Sequence, residues 1–335
     1  MRNVMALAAT SLAALMFGLE ISSVPVVLPL LGRELRADFA TQQWVMNAYT
    51  LGCTTVLMAA GTLADRYGRR LVFVVSLGVF GIASLGRGLA RDGSTLILAR
   101  AIQGVGGGAM LICLIAILSH QFRDGLERSR AFGIWGIVFG MGLGLGPLMG
   151  GLIVAGAGWR WVFLVHAPIT ALTLVLGFVT IRESRDPQAQ RVDFAGIVLL
   201  SLSVLGLVSL TMEIQQQASG PGNGVLAGWA RPPHPMFDLS VLRVRRFSGA
   251  ILGSIGINFC FWPLMIYLPA YFQNGLGYDS ITTGCALLAY TLPVLLLPPL
   301  GEHLALRYQP HVVIPAGLLA TDCWWGFDLH WPAGR

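Results

Sequence analysis

The chain has 335 residues, of which 55% are hydrophobic and only 11% charged, and its formal net charge is +6. Soluble domains carry about 25% charged residues, so a soluble globular protein is excluded and most of the outer surface must face lipid. All 22 basic residues are Arg, standing singly or in small groups between apolar runs, a spacing that suits membrane topology and excludes the clustered basic face of a nucleic-acid binder.

A helix crossing the hydrocarbon core, about 30 Å thick, needs about 20 mostly apolar residues. Such runs are predicted at 4–31, 42–62, 71–90, 94–118, 131–155, 161–181, 193–212, 247–273 and 281–300, and a further one begins near 311. The first run follows Arg2 but continues to Leu31 without a small-residue cleavage site. It is read as an uncleaved first helix, not a signal peptide. With the N-terminus inside, the cytoplasmic side collects Arg2, Arg66, Arg69, Arg70, Arg123, Arg128, Arg130, Arg182, Arg185 and Arg191. The opposite side then holds Arg33, Arg36, Arg87, Arg91 and Arg160. This imbalance predicts a multi-pass protein of the cell membrane with a cytoplasmic N-terminus. The five Cys lie scattered with no metal-like spacing, so no metal site is expected and they read as small core residues.

Two charges stand out inside the predicted spans, Glu20 in the first helix and Arg100 in the fourth. At ~1.5 Å per residue, Glu20 lies about 16 Å below the outer end of its helix and Arg100 about 9 Å below that of its own, which allows contact. Burial and a neighbouring Arg act in opposite senses on a carboxyl, and their balance can let it load and release protons. A static pair that locks two helices is the alternative. Between these two charges, "GTLADRYGRR" (Gly61–Arg70) forms a turn joining the second and third spans. Gly61 permits close helix approach and Gly68 a positive φ, while Asp65 can pair with Arg66 or Arg69 or accept bonds at a helix N-terminus; Arg70 completes the basic cluster. These charges either form a gate or simply hold the loop in the cytoplasm. In the fifth span Gly136, Gly140 and Gly144, and likewise Gly142, Gly146 and Gly150, recur four residues apart, as close helix packing requires, and Pro147 should kink the helix. Gln103, Trp135, Asn258 and Trp262 are candidate lining residues for flat or cationic compounds, with ordinary packing as the alternative. The chain has no GxxxxGK[ST] phosphate loop and no catalytic Ser, Cys or His pattern. Neither an ATP-driven pump nor an enzyme is expected from it.

Several stretches carry a family resemblance. "GTLADRYGRR" resembles the signature between helices 2 and 3 of the major facilitator superfamily. "LEISSVPVVLP" (Leu19–Pro29) is similar to the first-helix motif of its fourteen-helix drug/proton antiporter family, with Glu20 where that family usually has Asp. "WVMNAYTLG" (Trp44–Gly52), "LARAIQGVGGG" (Leu98–Gly108), "GMGLGLGPLMGG" (Gly140–Gly151) and "WRWVFLVHAP" (Trp159–Pro168) resemble its second-, fourth-, fifth- and sixth-helix motifs in the right order. The resemblance implies proton-coupled efflux of small amphipathic compounds or drugs by alternating access. Its energy source would be the proton gradient, with no cofactor. It implies proton coupling at Glu20 and Arg100 and a cytoplasmic gate at Gly61, Asp65, Arg66, Gly68, Arg69 and Arg70. It also implies a sealing role for Gly142, Gly146, Pro147, Gly150 and Gly151.

The chain also repeats itself. "AYTL" at Ala48–Leu51 recurs at Ala289–Leu292, and "LADRY" (Leu63–Tyr67) faces "LALRY" (Leu304–Tyr308) in the same register. Two matches at one offset indicate parallel halves with a shared midplane site. Leu306 stands opposite Asp65, so gate chemistry is expected in the first half only. The stretch 213–235 offers no run long enough to cross, which puts Arg243, Arg245 and Arg246 on the wrong side. The expectation is therefore an all-α polytopic transmembrane bundle of the major facilitator type with about ten membrane helices. Residues 1–182 form a six-helix transport domain, and 183–246 a linker with helix 7 and an irregular segment where helix 8 belongs. Residues 247–335 form an incomplete second domain, as in a truncated or internally deleted member; a non-transporting remnant or membrane interaction partner is the alternative function.

Overall fold

The computed structural model describes residues 2–123, 125–185 and 261–296, together with residues 199, 202, 203, 206, 256 and 258. No strand occurs among them. Five long helices come first: α1 (Arg2–Glu34), α2 (Phe39–Tyr67), α3 (Arg69–Gly88), α4 (Gly93–Gln121) and α5 (Gly125–Ala157). A sixth pass is built from α6 (Trp159–Leu164) and α7 (His166–Thr180), which meet at Val165. Helical residues 261–270 lead into a π-helical turn at Tyr271–Gly275, and α8 (Ser280–Leu296) follows. Among the described residues α1, α3, α4, α5 and the Trp159–Thr180 pass are long and apolar enough to cross a membrane. The six passes fall where the first six apolar runs are. The expected span at 193–212, all but four residues of it, lies outside the described residues, as do 213–235, Arg243, Arg245, Arg246, "LALRY" and the run beginning near 311.

By packing, the chain divides into two units, Met1–Ile214 with Pro269–Leu295 and Gln215–Leu268 with Leu296–Arg335. In the first unit two apolar clusters sit at different heights along the helices. One gathers Ala13, Phe17, Phe73, Phe80, Met110 and Leu114, and the other Val24, Leu31, Val45, Leu96, Trp159 and Phe163. In α1, Glu20 falls between Phe17 of the first cluster and Val24 of the second.

Glycines set how closely the helices approach. A Cβ on Gly104 would overlap the Tyr49 carbonyl oxygen, and one on Gly52 would overlap the Ala101 carbonyl oxygen, so α2 and α4 touch backbone to backbone. Gly106 lies the same way against Phe80 and Ser76 of α3, with a Cβ position 2.8 Å from the Phe80 nitrogen. On α5, Gly142, Gly146 and Gly150 all face α1, at Leu15, Ser22 and Ser23. Gly144 and Gly151 face α8 instead, where the Thr291 hydroxyl donates to the Gly144 carbonyl at 2.6 Å. Gly61 differs from expectation. A Cβ there would meet only Ile112, at an ordinary 3.8 Å, because α2 has already diverged from α4 at that height.

The internal repeat extends to backbone detail. Asp38 caps α2 by accepting from the Thr41 amide at 2.9 Å, and Asp279 caps α8 by accepting from the Thr282 amide at 3.1 Å. Hydrogen bonds from those threonines hold both carboxyls below the usual aspartate value. Asp38 and Asp279 are 241 residues apart, as are the two "AYTL" stretches. The turns before the caps agree as well: Arg36 has φ 50° and Gly277, at the same separation, φ 71°. Arg36 is the one non-glycine residue in that left-handed region among the described residues. The equivalent residues Arg33 and Asn274 hydrogen-bond each other at 3.3 Å.

Gly104→Val should destabilise the protein by about 1–3 kcal/mol or more, because two backbones would have to separate. Gly136→Ala, with nothing within 4 Å of the new methyl, should be neutral or stabilising by about 0.5–1 kcal/mol. Denaturant unfolding of both variants in detergent checks the contrast; equal effects would mean the α2–α4 contact is not tight.

Candidate functional site

Glu20 has no exposed surface, and four helical passes converge on it. Arg87 of α3 grips it with both terminal nitrogens, Nη1 to Oε1 at 2.5 Å and Nη2 to Oε2 at 2.8 Å. Arg100 of α4 reaches Oε1 through Nη1, also at 2.5 Å, and donates from Nε to the Val45 carbonyl at 2.8 Å. Gln103, one turn further along α4, donates from Nε2 both to Glu20 Oε2 and to the Ser84 hydroxyl, each at 3.0 Å. His166, the first residue of α7, places Nε2 3.6 Å from Glu20 Oε2. Each guanidinium also lies over an aromatic ring, Arg87 over Phe163 at 4.2 Å and Arg100 over Tyr49 at 4.5 Å.

Charge is what distinguishes this cluster. One carboxylate faces two guanidiniums, so with His166 neutral the buried set carries one net positive charge. Proton uptake by Glu20 and retention of both ion pairs are mutually exclusive, because a neutral carboxyl leaves two guanidiniums with no counter-charge.

The structure brings Glu20, Arg100 and Gln103 together. Arg87, which the sequence counts with the outer-side arginines, lies fully buried in the last turn of α3 and binds Glu20. Sequence reasoning also missed His166 and Ser84. The available signal for His166 was a lone histidine in an apolar run, which ordinarily indicates packing.

At the other end of the helices Asp65 binds Arg69 one turn on, with Arg69 Nη2 at 2.8 Å and Nε at 3.1 Å from Oδ1. Gly68, between α2 and α3, has φ 120°. The N-terminus of α3 is capped by Glu183, not by Asp65. Glu183 accepts from the Arg70 amide at 3.1 Å and the Leu71 amide at 3.2 Å. A Cβ on Gly68 would strike the Glu183 carboxylate, so the glycine serves conformation and clearance together. Arg66 lies over the ring of Tyr67 and Arg70 over that of Phe178, at 5.8 and 4.6 Å. Of the candidate lining residues, Gln103 belongs to the buried cluster around Glu20. Trp135 stacks on Phe139 at 5.7 Å in the first unit, whereas Asn258 and Trp262 belong to the second, where Trp262 packs edge-on against Phe261.

The first unit is thus a bundle of helical passes closed around a buried carboxylate–arginine cluster. The chain matches the Major Facilitator Superfamily over residues 10–324, and it belongs to that superfamily. It is similar to the multidrug resistance protein Stp of Mycobacterium tuberculosis, 32% identical over 94% of this chain and 61% of that protein. It is also similar to the puromycin resistance protein pur8 of Streptomyces alboniger, 34% identical over 92% of this chain and 64% of that one. The chain thus spans about three-fifths of the length of these curated relatives. In fold it resembles the crystal structure of a D-xylose-proton symporter, with a TM-score of 0.63 at 13% identity over 92% of this chain and 70% of that one.

The charge count predicts an order of stabilities. Glu20→Gln leaves two buried guanidiniums without a counter-charge and should cost about 3–5 kcal/mol. Arg87→Met leaves Glu20 and Arg100 as a neutral pair and should cost less. Denaturant unfolding in detergent reads the order; the reverse ranking would show that the cluster does not hold its excess positive charge.

Proposed function

We propose that this chain works in proton-coupled export of small amphipathic compounds, with Glu20 as the proton-binding group and Arg100 as its partner. The observation that carries the reading is a fully buried carboxylate bound to two arginines at the junction of α1, α3 and α4. Ionisable groups inside a membrane mark functional sites by default, which supports the reading. The relatives named for multidrug resistance and puromycin resistance support the class of compound. The energy source is the proton gradient, with no cofactor. A cytoplasmic N-terminus in the cell membrane is favoured, since burial of Arg87 removes one charge from the outer side and sharpens the arginine imbalance.

In this reading a protonated Glu20 releases its arginines, α1 shifts against α3 and α4, and substrate access alternates. Asp65, Arg69, Gly68, Arg70 and Glu183 hold the α2–α3 turn when the cytoplasmic side is closed, with Gly61 and Arg66 in the last part of α2. Gly142, Gly146, Pro147, Gly150 and Gly151 form the sliding surface of α5. Gln103 and Trp135 are the substrate-path residues of the first unit, and Asn258 and Trp262 those of the second.

The test is dye export from inverted membrane vesicles under an imposed pH gradient, with folded protein matched between samples. The unaltered chain should export and lose the activity when a protonophore collapses the gradient, and Glu20→Gln should fall to the level of empty vesicles. Export by Glu20→Gln at the unaltered rate removes Glu20 from coupling; no export by the unaltered chain removes the transport reading.

A further inference from the structure

His166 is as deeply buried as Glu20, at 1% exposure, and it has a defined tautomer. Its Nδ1 lies 3.1 Å from the Val162 carbonyl oxygen. A carbonyl can only accept, so Nδ1 carries the hydrogen, and in the neutral ring Nε2 is the bare nitrogen. That bare nitrogen has no hydrogen-bond partner among the described residues and points at Glu20 Oε2 from 3.6 Å. Two lone-pair acceptors therefore face one another in a buried site. Phe80 packs edge-on against the imidazole at 5.9 Å and fixes the ring plane. The contact is one proton short of a hydrogen bond, and a small approach of the two groups would complete it.

We propose that His166 Nε2 is a second proton-binding position of the cluster, the one from which Glu20 receives its proton. The inference rests on the reading of Glu20 as the proton-binding group. A proton given up by hydronium, which is left as water, forms the Nε2–H bond and turns the ring into imidazolium, which donates to Glu20 Oε2. Transfer then breaks Nε2–H and forms the Oε2–H bond, and the ring returns to its neutral Nδ1–H form. Both placements of the proton bring the buried set to two net positive charges, so neither is a resting state. Once Glu20 is neutral, Arg87 and Arg100 repel without an intervening carboxylate, which favours separation of α1 from α3 and α4. Among the described residues the charged groups around His166 are Glu20 from α1 and Arg87 from α3. Arg100 from α4 binds the other oxygen of the same carboxylate.

The experiment is imidazole 15N NMR of the full chain in detergent, with labelled histidine, between about pH 4.5 and 9, a range centred on the ordinary imidazole value. The resonance lost in His166→Asn identifies the ring. At the alkaline end Nδ1 should be protonated and Nε2 bare, and on acidification Nε2 should acquire its proton. Replacing Glu20 by Gln removes the facing negative charge and should move that midpoint toward acid by about one pH unit, a tenfold change in proton concentration. Glu20→Asp keeps the charge but withdraws it by one methylene, and should move the midpoint the same way by less; it decides the matter if Glu20→Gln does not fold. A ring protonated at Nε2 throughout, a ring that never titrates, or a midpoint indifferent to both changes at Glu20 would overturn the proposal. The spectra need no transport, so a chain that exports nothing would sink the efflux reading alone and leave the result at His166 standing.

Discussion

The arrangement of the first unit depends on a charge imbalance at Glu20, a single fully buried carboxylate that must satisfy two guanidiniums. Unpaired, any of these three groups would cost several kcal/mol in such surroundings. That penalty is what draws α1, α3 and α4 to one point. It also explains why the polar residues around the carboxylate form a connected set. Gln103 joins Glu20 to Ser84 of α3, and Arg100 takes the Val45 carbonyl of α2. With one more base than acid, the cluster holds a net positive charge that the neutral donors and acceptors around it must accommodate.

The network also requires the glycine contacts. An Arg100 side chain can reach both Glu20 and the Val45 carbonyl only if α2 and α4 lie close enough for backbone to touch backbone, which Gly52 and Gly104 permit. On the far side of α1, Gly142 and Gly146 do the same for α5, and the Ser22 hydroxyl lies between the two helices, 2.9 Å from both the Gly18 and the Gly142 carbonyl oxygens, with its single hydrogen to donate to one or the other. Close packing and buried charge thus support each other: the glycines bring donors within range, and the ion pairs hold helices whose small residues give little grip of their own.

How much of this was legible in the sequence follows from what each residue does. Hydrocarbon runs of membrane length mark the six passes, because nothing else needs them. Glu20 and Arg100 stand out because charge is rare inside such runs. Arg87 does not stand out, because it sits at a helix end where an arginine normally reaches water, and only the three-dimensional packing turns it inward. His166 reads as a filler until its neighbours are known. Glu183 caps α3 from more than a hundred residues away, a contact that carries no local sequence pattern. Gly61 is the opposite case: the pattern suggested close approach, but at that height α2 has no neighbour near enough to use it.

The repeat separates what duplication preserves from what it does not. Asp38 and Asp279 cap the same helix start, Arg36 and Gly277 share an unusual backbone turn, and Arg33 and Asn274 meet as equivalent residues. All of these are conditions for turning a chain tightly from one helix into the next. The chemistry does not repeat: at the same separation Phe261 stands for Glu20, and Leu306 for Asp65. A scaffold needs both copies of its turns to build two similar halves, whereas nothing in a turn requires a buried charge to be repeated, so the first copy can carry Glu20 and Asp65 alone.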